Sequence, residues 1–289
     1  MVRQNLIMVF SGLILIALIL LVQLSLPAEK RAEDDNSVAA CSINVDSALL
    51  REMESSDERM PVIVIFQEGE RPALDDFEIK HAYHLINGVS GYASPSTIEK
   101  LAADEMVAGI YYDAKVTAAY PAEKFNNSGV SNSAKIVNAD KLWAEGIDGS
   151  GVIVAVLDSG IYKNHPDLVG SVIGEKNFVE NEKTTDDLLG HGTMCAGLIA
   201  GTGVASGGEY MGIAPGASLL NVRVIDSDGN GQVSDIIAGI EWALDNDADV
   251  LSLSLAGINL GETNPPVSMA ADNAMDAGAV VCVAAGNRG

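Results

Sequence analysis

Val152-Ile153-Val154-Ala155-Val156-Leu157 runs without a polar residue into Asp158-Ser159-Gly160, and Gly190-His191-Gly192-Thr193 follows about thirty residues later. A strand apolar at every position is covered on both faces, as a parallel sheet between two helix layers requires. The rhythm continues as strand (152–157), helix (191–200), strand (218–224), helix (233–245), strand (249–254), helix (266–277) and strand (279–284). This alternation predicts an α/β fold built on a doubly wound parallel sheet. Ala279-Val280-Val281-Cys282-Val283 repeats the unbroken apolar character, and no internal repeat is present.

Working outward, residues 136–289 hold this sheet and residues 61–118 a smaller module. Val62 to Phe66 reads as a β-branched strand; Ser94 is placed to cap a helix with Pro95 at its first position and Ile98, Leu101 and Ala102 on one face; Ala108 to Tyr112 reads as a second strand. Such an α+β module is hard to stabilise alone. Residues 119–135 are polar and Gly- and Asn-bearing, which predicts an exposed processing junction, and Asn126-Asn127-Ser128 is a glycosylation sequon. Residues 28–60 are charged and read as a polar linker.

At the amino terminus, Arg3 precedes an almost wholly apolar run from Leu6 to Pro27. It exceeds the roughly 7–15 residues of a signal-peptide core and matches a bilayer-spanning helix, so residues 1–27 are expected to be a signal peptide or an uncleaved signal-anchor. Either places the rest outside the cytoplasm or on the outer face of the cytoplasmic membrane. Val38-Ala39-Ala40-Cys41 resembles a lipid-attachment box, but the charged stretch from Glu29 to Asp35 separates it from the apolar run.

The chain has 289 residues, 17 Lys and Arg against 40 Asp and Glu, and a net charge of −23. Phosphates would be repelled, which excludes a nucleic-acid partner. Such acidity suits secretion, calcium, high salt or simply a solvated face. Cys41, Cys195 and Cys282 have no paired spacing, so no regular disulfide framework is expected.

Reactive groups in an open α/β sheet collect beyond the carboxyl ends of the strands, where Asp158 lies. His191 opens a helix whose dipole disfavours an imidazolium, so a proton-carrying histidine there needs a carboxylate beside it. Asp158 supplies that charge and, by accepting from one ring nitrogen, frees the other to take a hydroxyl proton. Asn287, after Ala284-Ala285-Gly286, offers a neutral donor at a strand end, suited to negative charge developing on a carbonyl oxygen.

These segments, with His165-Pro166-Asp167-Leu168, Gly190 to Gly197, Gly212 to Ala217 and Asp228 to Gln232, stand in the order found in the subtilisin-like serine proteases, and the chain resembles that family from about Pro61 onward. The resemblance implies that Asp158 orients, His191 is the general base and Asn287 completes an oxyanion hole. Residues 61–118 resemble its inhibitory propeptide, and self-cleavage is expected near 115–133. By the same resemblance Ser254, Leu255 and Ala256 face Ala284, Ala285 and Gly286 across the pocket for the residue before the scissile bond, and Gly229 to Gln232, with Gly229 and Gly231, form the other edge. Substrates would be extended protein or peptide segments, added as a strand. No cofactor is required for the chemistry; structural calcium is possible, with Asp167 a candidate ligand, although Gly201 to Tyr210 lacks the asparagines that bind it in many relatives. Ala256 stands where the family usually has glycine, and Met194 where it usually has histidine.

The family's Gly-Thr-Ser-Met-Ala segment, which carries the nucleophile, occurs nowhere in residues 1–289. This chain alone is therefore expected to be inactive. A sheet ending at its last strand would expose a large apolar surface, which favours a fragment over a truncated product. Competing readings are a metallohydrolase using His165, Asp167, His191 and Asp158, a cysteine nucleophile at Cys195, and a membrane-tethered module whose residues 61–118 inhibit another protease. Gly201-Thr202-Gly203 does not bind a nucleotide, because no strand leads into it.

Overall fold

Val45, Leu49 and Met53 recur at helical spacing within the charged stretch read as a linker, and Ser47–Ser55 forms helix α1. The linker expectation for residues 28–60 is corrected over this helix, and residues 28–44 lie outside the described residues. Asp46 caps α1, its Oδ1 accepting the Leu49 N–H at 2.7 Å while the other oxygen accepts the Tyr112 N–H, and Leu49 is fully buried. In this computed structural model the described residues are 45–69, 71–119, 133–257 and 265–286. The apolar run at 6–27, the segment ending at Cys41, the sequon at 126–128 and Asn287 lie outside them. Among the described residues no helix is long and apolar enough to cross a membrane.

β1 (Met60–Phe66), β2 (Glu78–Tyr83), β3 (Gly88–Ala93) and β4 (Val107–Tyr112) form an antiparallel sheet in the order β2-β3-β1-β4, with α2 (Pro95–Ala102) between β3 and β4. Successive side chains of β1 point to opposite faces. Val62 and Val64 pack with Leu49, Ile98 and Leu101, whereas Ile63 and Ile65 join a core that includes Ile236, Ile237 and Ile240 of the larger region. Burial on both faces explains why β1 is apolar throughout. β5 (Lys115–Ala118) then leaves the sheet and crosses to the larger region.

There, α3 (Ser133–Ile136) and α4 (Ala139–Trp143) precede β6 (Ile153–Asp158), β7 (Val172–Asn177), α5 (His191–Ala200), β8 (Ser218–Arg223), β9 (Asn230–Gln232), α6 (Val233–Asp245), β10 (Val250–Leu253), β11 (Leu255–Gly257), α7 (Pro266–Asp276) and β12 (Val280–Val283). Five of these strands make a wholly parallel sheet in the order β12-β10-β6-β8-β7. Val154 and Val156 of β6 share a core with Cys195, Ala196 and Ala200 of α5, while Ala155 and Leu157 share the opposite core with residues of α6 and α7. The middle of the sheet is thus helix-covered on both faces, whereas β12, whose apolar run predicts the same cover, leaves Val280 and Val283 exposed at the sheet edge.

Candidate active site

Strand order reverses beside β6, and at such a switch point the loops leaving neighbouring strands part and open a crevice. β6 delivers Asp158 at its carboxyl end, and α5 begins at His191; both side chains are buried. Close approach is possible because residue 192 has no Cβ: one placed there would lie 2.1 Å from Gly160 O.

His191 Nδ1 lies 2.7 Å from Asp158 Oδ1 and 2.9 Å from Oδ2. A carboxylate only accepts, so Nδ1 carries the hydrogen. Nε2 lies 3.3 Å from the carbonyl oxygen of Ala119, which also only accepts. The ring that bridges these two acceptors is therefore the imidazolium. Burial opposes that charge, but hydrogen bonds and charge from Asp158 and Cys195 outweigh it and raise the pKa from 6.5 to about 10. With both nitrogens protonated His191 takes no hydroxyl proton, so it acts as a base only once Nε2 has given up its hydrogen.

Ala119 is held there by strand pairing. β5 lies between β11 and β9, antiparallel to both, with Thr117 opposite Ala256 and Asn230, and Val116 opposite Gly257 and Gly231. The Ala118 N–H donates to Gly229 O at 3.0 Å and the Ala119 N–H to Ser254 O at 2.8 Å. Both edges expected to grip a substrate, Gly229 to Gln232 and Ser254 to Ala256, are thus occupied by the chain's own segment. Gly231 permits the passage, since a Cβ there would meet Val224 O at 2.4 Å and Val116 Cγ2 at 3.2 Å. Leu255, Ala256, Ala284, Ala285 and Gly286 line one cavity of about 540 Å³. Asn287 lies outside the described residues.

The small sheet is pinned to α6 by polar contacts as well. Asp113 Oδ1 accepts the buried Ser234 N–H at 2.8 Å, supplying the cap that the α6 start lacks from its own side chain. Glu241 Oε1 accepts the N–H groups of His84 and Leu85, both at 2.7 Å. Lys80 and His81 both reach Asp235, at 2.9 and 2.8 Å.

Other expected arrangements are not assembled. Cys195 is buried with Sγ 4.0 Å from Nδ1, the nitrogen already committed to Asp158, so Nε2 cannot activate it. Asp158, His191 and Cys195 offer ligand atoms within 4.8 Å of one another, the one such group among the described residues; His165 and Asp167 are not in it. The Asp167 carboxylate instead accepts the Ala205 N–H at 2.7 Å and holds the glycine-bearing loop. Sequence reasoning passed over Ala119, Ser159, Asp187 and Thr193. Only Asp187 left a signal, an acid three residues ahead of Gly190, a helix-capping residue with no side chain of its own.

Residues 149–289 match the Subtilase family and residues 31–119 match Peptidase inhibitor I9. The chain is similar to serine protease AprX of Bacillus subtilis, at 36% identity over 73% of this chain and 48% of that protein. It is similar to thermitase of Thermoactinomyces vulgaris, at 42% identity over 53% of each. It is similar also to an alkaline protease of Alkalihalobacillus alcalophilus, at 33% identity over 94% of this chain and 67% of that protein. The chain spans about half the length of the first two.

Proposed function

Because the chain belongs to the subtilase family, we propose that it is the precursor part of a serine-type endopeptidase that hydrolyses peptide bonds in extended protein segments, held inactive by its own residues 45–119. One observation carries this reading. His191, oriented by Asp158, faces the carbonyl of a strand gripped on both edges of the crevice.

In the proposed reaction a serine hydroxyl, from outside these 289 residues, attacks the substrate carbonyl carbon and passes its proton to His191 Nε2. Asp158 holds the imidazolium that forms, that proton goes next to the leaving amine as the C–N bond breaks, and a water that gives a proton to His191 then displaces the serine oxygen, which takes the proton back. Asn287 is assigned the donor role toward the carbonyl oxygen. No metal takes part in these steps, and calcium, if bound, is structural. The carbonyl that His191 addresses is that of Ala119, so self-cleavage within the 115–133 window is assigned to the bond that follows Ala119. The apolar run at 6–27 supports export, followed by release or retention at the outer face of the membrane.

The test uses the full-length protein. Peptide hydrolysis should be abolished by a fluorophosphonate and by His191→Ala, and should survive a chelator. Loss with the chelator alone would overturn the proposal in favour of a metallohydrolase. Tight binding to another protease with no turnover would leave a binding module instead.

A further inference from the structure

The loop that leads into His191 is anchored from beneath. Arg223, fully buried, pairs with Glu182 and donates to Thr184 O at 2.9 Å, and Asn221 Nδ2 donates to Thr185 O at 2.9 Å. Two residues further on, the Asp187 carboxylate accepts five hydrogen bonds: at Oδ1 from Ser159 Oγ (2.9 Å), Leu189 N (3.0 Å) and Gly190 N (2.7 Å), and at Oδ2 from Thr193 N (2.8 Å) and Thr193 Oγ1 (2.6 Å). Its partners lie on both sides of the reacting pair. Ser159 follows Asp158 directly, and its Oγ also accepts the Gly192 N–H at 3.0 Å; Thr193 Oγ1 accepts the Tyr162 N–H at 2.9 Å.

Gly190 occupies the capping position of α5 at φ 94° with no side chain to cap the helix. The first-turn N–H groups of Gly192 and Thr193 are satisfied instead by Ser159 and Asp187, from the strand end and the anchored loop. The helix start and the strand end are thereby one hydrogen-bonded unit. A full negative charge at that helix terminus also favours a cation on the first residue, which is His191.

We propose that Asp187 is a positioning residue for the reaction: its carboxylate fixes the first turn of α5 against the end of β6 and so sets the contact between His191 and Asp158. This rests on the proposed function, because only there does the His191 to Asp158 geometry matter to a reaction. α5 packs into the core through Cys195, Ala196 and Ala200, a cluster to which Asp187 does not belong. The helix should therefore survive while its first turn loosens.

The test needs no turnover. The full 289-residue chain, labelled with 15N-histidine, is compared with Asp187→Ala, with the isosteric Asp187→Asn, and with Asp186→Asn, which removes the same charge one residue away. Folding is checked by circular dichroism and urea slope. The unaltered chain should show a downfield Nδ1 proton and a His191 pKa well above the ordinary ~6.5. In Asp187→Ala that pKa should fall by about one unit or more with the Nδ1 proton lost to exchange; Asp187→Asn should move it less, and Asp186→Asn hardly at all. A folded Asp187→Ala or Asp187→Asn with the unaltered His191 signals would overturn the proposal, as would an equal shift in Asp186→Asn. Absence of the downfield proton in the unaltered chain would sink the Asp158 to His191 pair itself, and with it the proposed function.

Discussion

His191 is held as a cation between two acceptors, and this gives the site a defined pH behaviour. Cys195 contributes to the raised pKa, so Cys195→Ala should lower it from about 10 toward 6.5 in an NMR titration; an unchanged value would show that the thiol plays no part. The sign for stability follows from linkage. A group whose folded pKa lies above its unfolded value stabilises fully below the unfolded value and loses that contribution as pH rises through the folded one. The stability advantage of the unaltered chain over His191→Gln should therefore be complete below about pH 6.5 and vanish as pH climbs through about 10, read from urea midpoints. A constant difference across that window would contradict the account. Asp158 and His191 were legible in sequence because a strand end and a helix start flanked by glycines leave few other placements. Ala119 was not, since nothing local marks a carbonyl that becomes important only when a distant strand carries it 72 residues away to His191.

Elements with continuous apolar runs were equally legible: β1, β6 and β8 are buried on both faces, β10 is buried on one and half-buried on the other, β12 reads as a strand although Val280 and Val283 lie exposed at the sheet edge, and α5, α6 and α7 fall between these strands. The strands that sequence reading missed are polar, short or at an edge, except β3, a buried inner strand whose Gly88-Val89-Ser90-Gly91-Tyr92-Ala93 has two glycines and no continuous apolar run. β2 reads Glu-Ile-Lys-His-Ala-Tyr, β7 is a half-exposed edge, and β5, β9 and β11 have three or four residues each and exist only by pairing with one another. The start of α6 shows the same dependence, because its cap comes from Asp113 on the other side of the interface. Asp113→Ala leaves the buried Ser234 N–H without that partner and should cost about 1–3 kcal/mol in urea unfolding. An unchanged midpoint would mean that water or another group replaces it.

For the molecule as a whole, a net charge of −23 implies self-repulsion in the compact state. Salt shortens the reach of that repulsion to about 8–10 Å at ordinary ionic strength, so the urea midpoint should rise between low salt and about 0.15 M. A fall would show that attractive pairs such as Lys80 with Asp235 dominate instead. The described residues of the two regions share one core and belong to one compact unit, with the smaller sheet lending its second face to α6 and its last strand to the crevice. The most direct test of the central claim is the amino-terminal sequence of the full-length protein after it has processed itself. The account predicts a new terminus at Tyr120, absent in His191→Ala; a terminus elsewhere, or the same cut in His191→Ala, would contradict it.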